Sequence, residues 1–147
     1  MVNLISPKVV AKQLKWPLQA LLIAPGQKMR TAILEKIKKI TIREGHRDYH
    51  PGLVMLCCHL VSWAVMADIV EVKHCTLIDV TIEEYRADGF ENKAELASGM
   101  KKFYPNMNLD SPVTVIRWEN VRGYLVDNWD SELHMPKDLA QDLRAGR

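Results

Sequence analysis

The chain is poor in cysteine and in net charge. Its 147 residues include three cysteines, and an odd number in apolar surroundings excludes a disulfide framework and favours reduced thiols. The formal net charge of +2 is too small to indicate nucleic-acid binding by itself. The length predicts one domain, and the 48% of hydrophobic residues is ordinary for a globular protein.

No hydrophobic run is long and clean enough for a membrane span. The most apolar window, LVMLCCHLVSWAVMADIV, is interrupted by His59, Ser62 and Asp68. It falls short of the roughly 20 apolar residues that a transmembrane helix needs, so we interpret it as two core strands. The amino-terminal sequence MVNLISPKVVAKQLKWP lacks the apolar run of a signal peptide. We therefore expect a cytoplasmic protein without a membrane partner.

Metal-ligating residues are present but badly arranged for one ion. The candidates are Cys57, Cys58, His59, His74 and Cys75. Adjacent residues of a strand point to opposite faces, and the chain contains no C-x-x-C motif. The sequence therefore predicts core thiols, no metal site and no cofactor.

What the chain does have is an uneven distribution of charge. Residues 28–47 contain seven Lys or Arg and two Glu, whereas residues 68–95 contain eight acids and three bases. These segments are either two solvated faces or a basic, phosphate-facing patch opposite an acidic one. The sequence leaves both interpretations open.

Periodicity predicts short strands that alternate with helices of about ten residues. Thr81 and Glu84 form a capping box for a helix ending at Gly89, and Asn92 caps the next one. That last helix is predicted to bury one face with Leu96, Met100 and Phe103. The other predicted helices are KVVAKQLK and QKMRTAILEK, and the predicted strands are ALLIAPG, KKITIRE, LVMLCCHLV, WAVMADIVEV, CTLIDV, DSPVTVIRWENV and GYLVD.

The strand KKITIRE carries the most informative pattern. Ile40 and Ile42 face one way in a period of two, and Lys38 lies at the start of the strand. The opposite face carries Lys39, Thr41 and Arg43. With so many short strands and no long βαβ series, we predict a compact mixed barrel in which Trp118 is a barrel residue.

At KKITIREG the sequence resembles the ASCH family, named for the activating signal cointegrator homology. The family signature is a glycine, then a lysine, a glutamate or threonine, and an arginine at fixed spacing. It is matched by Lys38, Thr41 and Arg43, with Lys36 at the glycine position. The resemblance covers residues 21–119 and includes the segments LLIAP, DVTIEEYRADGF and FYPNMNLDSPVTVIRWE.

The resemblance implies an α+β fold, a PUA-like mixed β-barrel with short flanking helices. It divides the chain into an amino-terminal helical extension at 1–20, the barrel domain at 21–126, and a carboxy-terminal tail at 127–147 that includes a short helix. It also implies a nucleic-acid-related function, because members include RNA-binding modules, acetylcytidine amidohydrolases and proteins described as ribonucleases.

In the amidohydrolase members, the working residues are a lysine, a threonine and a glutamate. Carried over position by position, these roles fall on Lys38, Thr41 and Asp88, and the aspartate is shorter than glutamate by one methylene. Displacing a catalytic group by about 1 Å lowers the reaction rate sharply, so the shorter aspartate counts against amidohydrolase activity. A simple ion pair between Lys38 and Asp88 is the alternative.

The candidate ligand-binding residues are cationic or aromatic. Arg43 matches a phosphate or carboxylate in a bidentate way, although a salt bridge with a nearby acid is equally open. Lys38 and Lys39 are basic neighbours. In the loop GHRDYHPG, Arg47 is expected to hold a phosphate and Tyr49 to stack on a base, unless the loop is simply a polar connection.

Three functions are compatible with the sequence. The first is binding of RNA or a nucleotide in a basic cleft. The second is hydrolysis of modified nucleosides, using Lys38, Thr41 and Asp88, or of RNA phosphodiester bonds. The third is a protein-interaction domain whose tail docks a partner.

Overall fold

The structure, a computed structural model, describes residues 18–24 and 26–126. The predicted helix at residues 8–15 and the predicted tail at 127–147 lie outside the described residues. The elements are β1 (Gln19–Leu22), α1 (Gln27–Leu34), β2 (Ile40–Glu44), β3 (Gly52–Cys57), β4 (Ala64–Thr76), α2 (Ile82–Ala87), α3 (Lys93–Phe103) and β5 (Pro112–Val126), with a 3-10 turn at Leu77–Asp79.

All five strands join one mixed sheet in the order β1-β3-β4-β5-β2. β1 pairs with β3 in parallel, and the other neighbours are antiparallel. The long strands β4 and β5 contain several register shifts, which bend a sheet and increase its twist. Across the described residues the sheet forms a half-barrel with three helices, which confirms the predicted α+β mixed barrel.

Two segments that the sequence predicts as separate strands do not form strands of their own. CTLIDV is not a separate strand, because Cys75 and Thr76 end β4 and the 3-10 turn follows. GYLVD is the last part of β5 rather than a new strand. The ladder explains both errors: β4 and β5 pair from Thr76 opposite Pro112 to Ala64 opposite Val126, so pairing continues where the sequence suggests a turn. The positive φ of 57° at Gly123 is accommodated within that ladder.

For the helices within the described residues, the predicted capping signals are confirmed, and one predicted buried residue is wrong. The Thr81 side chain accepts a hydrogen bond from the Glu84 N–H, and the Glu84 carboxylate accepts one from the Thr81 N–H. Asn92 caps α3, in which Leu96 and Met100 are buried. Phe103 is 70% exposed, which corrects its predicted place on the buried face. It is the last residue of α3, and it borders a cavity instead.

Two hydrophobic cores lie on the two faces of the sheet. The first core fills the barrel and contains Trp118, as predicted. The second core joins the sheet to α2 and α3. Ile40 and Ile42 of β2 belong to the second core, whereas Thr41 lies opposite Ile116 of the first. β2 is therefore buried on both faces, and its predicted alternation is confirmed. Within the described ranges, no helix is long and apolar enough to span a bilayer.

Candidate functional site

A cavity of about 320 Å³ opens where the half-barrel does not close. β1 and β2 are the two outer strands of the sheet, and no strand pairing joins them. The guanidinium of Arg43 bridges this gap by donating a 2.6 Å hydrogen bond from Nη2 to the Leu22 carbonyl oxygen. The residues lining the cavity are Leu22, Ile23, Ala24, Met29, Lys38, Thr41, Ile42, Arg43, His59, Asp88, Phe90, Met100, Phe103 and Tyr104.

Lys38 is presented by the end of helix α1. Lys36 has a positive φ of 61°, and its N–H donates to the Ile33 carbonyl oxygen at 3.0 Å. The N–H groups of Ile37 and Lys38 both donate to the Ala32 carbonyl oxygen. This pattern is a Schellman motif with a left-handed residue after the helix, the position where glycine is usual. The turn therefore keeps the geometry that glycine favours although the residue is a lysine.

Asp88 is presented by a second helix end of the same kind. It is the C-cap of α2, and Gly89 follows with a φ of 101°. The Gly89 N–H donates to the Arg86 carbonyl oxygen, and the Phe90 N–H donates to the Tyr85 carbonyl oxygen at 2.9 Å. Two Schellman motifs thus bring two side chains from opposite sides to one point.

Lys38 and Asp88 form an ion pair at that point. The Lys38 Nζ donates a hydrogen bond to Oδ1 of Asp88, and the two side chains are only 11% and 9% exposed. Lys38 and Asp88, which the family resemblance identifies as site residues, are therefore in direct contact although they lie 50 positions apart in the sequence. This contact is expected if the two residues form a simple ion pair, and it is also expected if they act together in catalysis.

Burial raises the pKa of the Asp88 carboxyl above its ordinary value. Lys38 opposes this effect through its charge and its hydrogen bond, and so do the charge of Arg43 and the Ile42 backbone N–H. Desolvation outweighs these attractions. The carboxyl therefore accepts a proton more readily than an exposed aspartate does.

Thr41 and Arg43 offer unused hydrogen-bonding groups to the cavity. The Thr41 side chain is buried at 6% exposure, and its hydroxyl makes no hydrogen bond to any described residue. The buried Nε of Arg43 likewise has no hydrogen-bond partner among the described residues. Buried polar atoms are normally paired, so the unpaired Nε of Arg43 in the cavity lining is what a ligand site presents, and the Thr41 hydroxyl is a second group available to a ligand.

Apolar and aromatic side chains form much of the remaining lining. Sequence reasoning missed the roles of Phe90, Met100 and Tyr104, which belong to or pack against the second core and also line the cavity. It also missed His59, considered there only as a metal ligand. The signal for Phe90 was its place two residues after Asp88, whereas nothing local indicates that the β3–β4 loop brings His59 here.

Three predicted ligand residues lie outside the cavity lining. Lys39 is exposed. The Arg47 Nε donates to the Glu44 carbonyl oxygen at 2.8 Å, and the Tyr49 hydroxyl donates to the Ala20 carbonyl oxygen at 2.8 Å. Of the predicted residues, the structure therefore groups Lys38, Thr41, Arg43 and Asp88 around one cavity. Lys39 and Arg47 are exposed outside the lining, and Tyr49 is partly buried against the first core.

The cysteines are placed as separate thiols. The Sγ of Cys57 points to the Leu21 carbonyl oxygen and that of Cys58 to the Ala24 carbonyl oxygen, and burial raises the pKa of both thiols. In the part of the chain that the structure describes, no three His, Cys, Asp or Glu residues converge on a point that would hold a metal ion.

Comparison with known proteins gives a structural likeness only. No protein-family model matches the chain, and no curated protein sequence matches it. Among solved structures, the chain is similar to the crystal structure of an ASCH domain from Lactobacillus crispatus JV V101, with a TM-score of 0.52 and 13% sequence identity. The match covers 84% of this chain and 87% of that one. The protein therefore has the fold of an ASCH domain.

Proposed function

We propose that the cavity binds a nucleoside or nucleotide, either free or as one unit of an RNA strand. The observation that carries this proposal is the buried, unpaired Nε of Arg43 in a cavity that is lined largely by apolar and aromatic side chains and also includes the Thr41 side chain. Small-molecule sites combine such a lining with a few polar groups that fix orientation.

The size and charge of the cavity favour one nucleotide unit rather than a long strand. Its volume of about 320 Å³ is near the lower end of ligand pockets, which range from about 300 to 1,000 Å³. Lys38 and Asp88 offset each other's charge, so Arg43 supplies the net positive charge. Arginine binds phosphate well, and aromatic side chains bind the faces of bases.

Calorimetric titration with the four ribonucleoside 5′-monophosphates tests this proposal. We expect at least one to bind, and Arg43→Lys to weaken it by about tenfold, because lysine lacks the planar donor fork. Arg47→Lys is the matched control and should leave mononucleotide binding unchanged, since Arg47 lies outside the cavity lining. Absence of binding at low salt, or full binding by Arg43→Lys, would contradict the proposal.

Lys39, Arg47 and Tyr49 are proposed to contact nucleotides that flank the bound unit in RNA. Lys39 and Arg47 are exposed, which suits phosphate contacts, and such contacts weaken as salt rises. Arg47→Gln should therefore lower the salt dependence of binding to a short single-stranded RNA and leave mononucleotide affinity unchanged. An RNA affinity that is insensitive to salt would exclude this extended surface.

Hydrolysis of an acylated nucleoside is the second candidate function. The specific observation in its favour is that Lys38, Thr41 and Asp88 line the same cavity, with Lys38 in contact with Asp88. The Thr41 hydroxyl would attack the amide carbonyl carbon, and the Asp88 carboxylate, whose pKa is raised by burial, would accept the hydroxyl proton. That proton would pass to the amine, which leaves as the free nucleoside when the C–N bond breaks, and water would then hydrolyse the Thr41 ester to release the acid.

Incubation with N4-acetylcytidine and with labelled RNA separates the candidates. Release of cytidine that is lost in Thr41→Ala would support the hydrolase, and cleavage of RNA would support a nuclease. Binding without turnover of either substrate would leave the binding function alone. Turnover that survives in Thr41→Ala would exclude Thr41 as the nucleophile.

A further inference from the structure

Phe90 lies between the cavity and Gly99 of helix α3. It lines the cavity and is partly buried against the second core. On the helix side its ring lies over Gly99, where a Cβ atom would stand 2.4 Å from Cε1 and 3.0 Å from Cζ of Phe90. Carbon atoms in good contact are about 3.5–4.0 Å apart, so no side chain fits at position 99 while the ring stays there.

Gly99 has no conformational reason to be glycine. It lies inside α3 with helical backbone, where glycine costs roughly 0.5–1 kcal/mol relative to alanine. The close approach of the Phe90 ring is what the missing side chain permits. Position 99 therefore affects the cavity although it does not line it.

We propose that Gly99 and Phe90 set the size of the ligand that the cavity accepts, with Gly99 acting as a positioning residue. This inference rests on the proposed ligand cavity. A side chain at position 99 forces the ring to move, and the ring is part of the cavity lining. The displaced ring then occupies volume that the ligand needs.

The part of the ligand that meets this wall is flat and apolar. Phe90, Met100 and Tyr104 are all associated with the second core and all line the cavity, so they form one apolar wall. A methionine beside two aromatic rings adapts well to a planar group. The ligand class that follows is a nucleobase or a base carrying an apolar acyl group, selected at this wall by size rather than by charge.

Three variants test the wall: Gly99→Ala, Phe90→Leu and the double variant. We expect Gly99→Ala to weaken binding of cytidine 5′-monophosphate by about tenfold, because the displaced ring takes up space that the base needs. Phe90→Leu should shift selectivity toward N4-benzoylcytidine over cytidine by a similar factor. The double variant should bind cytidine 5′-monophosphate as Phe90→Leu does, since the smaller side chain leaves room for the new methyl group.

The matched control is Ser98→Ala, which places the same side chain on the exposed neighbour in α3. It should change neither affinity nor selectivity. Full binding by Gly99→Ala, or a double variant that does not recover, would overturn the inference. If Gly99→Ala does not fold, Phe90→Leu decides alone, and unchanged selectivity in that variant overturns the size wall.

Titration with indole distinguishes failure of this inference from failure of the proposed function. Entry of indole into the cavity is followed through the methyl resonances of Met29 and Met100, which line it. If the wild-type protein binds no nucleotide, but indole perturbs these methyl groups in the wild type and not in Gly99→Ala, the size wall stands and the nucleotide proposal falls. Equal indole binding by both proteins overturns the wall.

Discussion

At the scale of single residues, the site depends on backbone conformations that side chains do not favour. Lys36 holds the left-handed turn that leads into Lys38, with a φ of 61°. A left-handed conformation costs a non-glycine residue roughly 1–2 kcal/mol. Lys36 adopts this unfavourable conformation two residues before Lys38 of the ion pair. The surrounding structure therefore imposes the turn, because Lys36 itself does not favour it.

Replacing Lys36 with glycine should stabilise the protein. Glycine removes the steric cost of the positive φ but loses more entropy on folding, so we expect a net gain of roughly 0.5–1 kcal/mol. Urea denaturation measures this difference. Lys28→Gly, at an exposed position within α1, is the matched control and should destabilise by about 1 kcal/mol. A less stable Lys36→Gly variant would contradict the assigned turn.

Thr41→Val separates the role of the hydroxyl from that of the strand. Valine has the same shape and high strand propensity, and the Thr41 hydroxyl has no partner among the described residues. Unfolding free energy should therefore change by less than about 1 kcal/mol. Nucleotide affinity should fall about threefold to tenfold, the worth of one hydrogen bond, as measured by calorimetry. A large loss of stability would show instead that the hydroxyl supports the fold.

At the scale of elements, the site is assembled from the ends of two short helices. α1 delivers Lys38 and α2 delivers Asp88, each through a Schellman motif. α2 contains only six residues, Ile82–Ala87, so it depends on its caps. Its capping box is reinforced by Lys73 of β4, whose Nζ donates to Oε1 of Glu84 at 2.6 Å.

Thr81→Ala should destabilise α2 and with it the position of Asp88. Loss of an N-cap typically costs about 1 kcal/mol, within a range of 0.5–2 kcal/mol. Thermal denaturation should show this loss, and Thr81→Ser should restore most of the stability because serine keeps the capping oxygen. Equal stability of Thr81→Ala and wild type would mean that the Lys73–Glu84 contact alone fixes the helix.

At the scale of the whole molecule, the ion pair lies where the two cores and the open edge of the barrel meet. Burial there raises the pKa of Asp88, so the folded protein holds that proton more tightly than the unfolded chain does. Under this linkage, stability is lost as the pH rises from the ordinary value of 3.8 through the raised pKa. The effect has the opposite sign to that of a carboxylate whose pKa is lowered.

The difference between wild type and Asp88→Asn isolates this contribution. Asparagine has the same shape and does not titrate, so groups common to both proteins cancel. The unfolding free energy of the wild type, relative to Asp88→Asn, should fall as the pH rises from 4 toward neutrality. A relative stability that rises over this interval would show that Lys38 outweighs burial and lowers the pKa.

Glu84 should behave in the opposite way. Its burial raises the pKa, but hydrogen bonds from Lys73 and Thr81 outweigh burial and lower it overall. Its stabilisation is therefore present above the ordinary pKa of 4.5 and is lost as the pH falls through the lowered value. The corresponding difference between wild type and Glu84→Gln should decline on acidification, the reverse of the trend for Asp88.

The sequence alone determined the local features of this protein. The alternation of Ile40 and Ile42 predicted β2, Thr81 with Glu84 predicted the start of α2, and Gly89 predicted its end. These signals involve only a few neighbouring residues, so they can be recognised in the sequence without knowledge of the fold. The order of the motif with its flanking segments also pointed to the fold that the structural likeness supports.

Tertiary structure alone decided which of these features meet. β4 continues beyond the predicted end at Val72 to Thr76 because β5 provides a pairing partner there, and no local pattern specifies that pairing. Phe103 is exposed at the end of α3, although its helical spacing places it with the buried Leu96 and Met100. Lys38 contacts Asp88, and Phe90 packs over Gly99. In both pairs the two residues come from different segments of the chain, and no local sequence pattern shows that they meet. Such contacts follow from how the elements pack, and packing is a property of the whole chain.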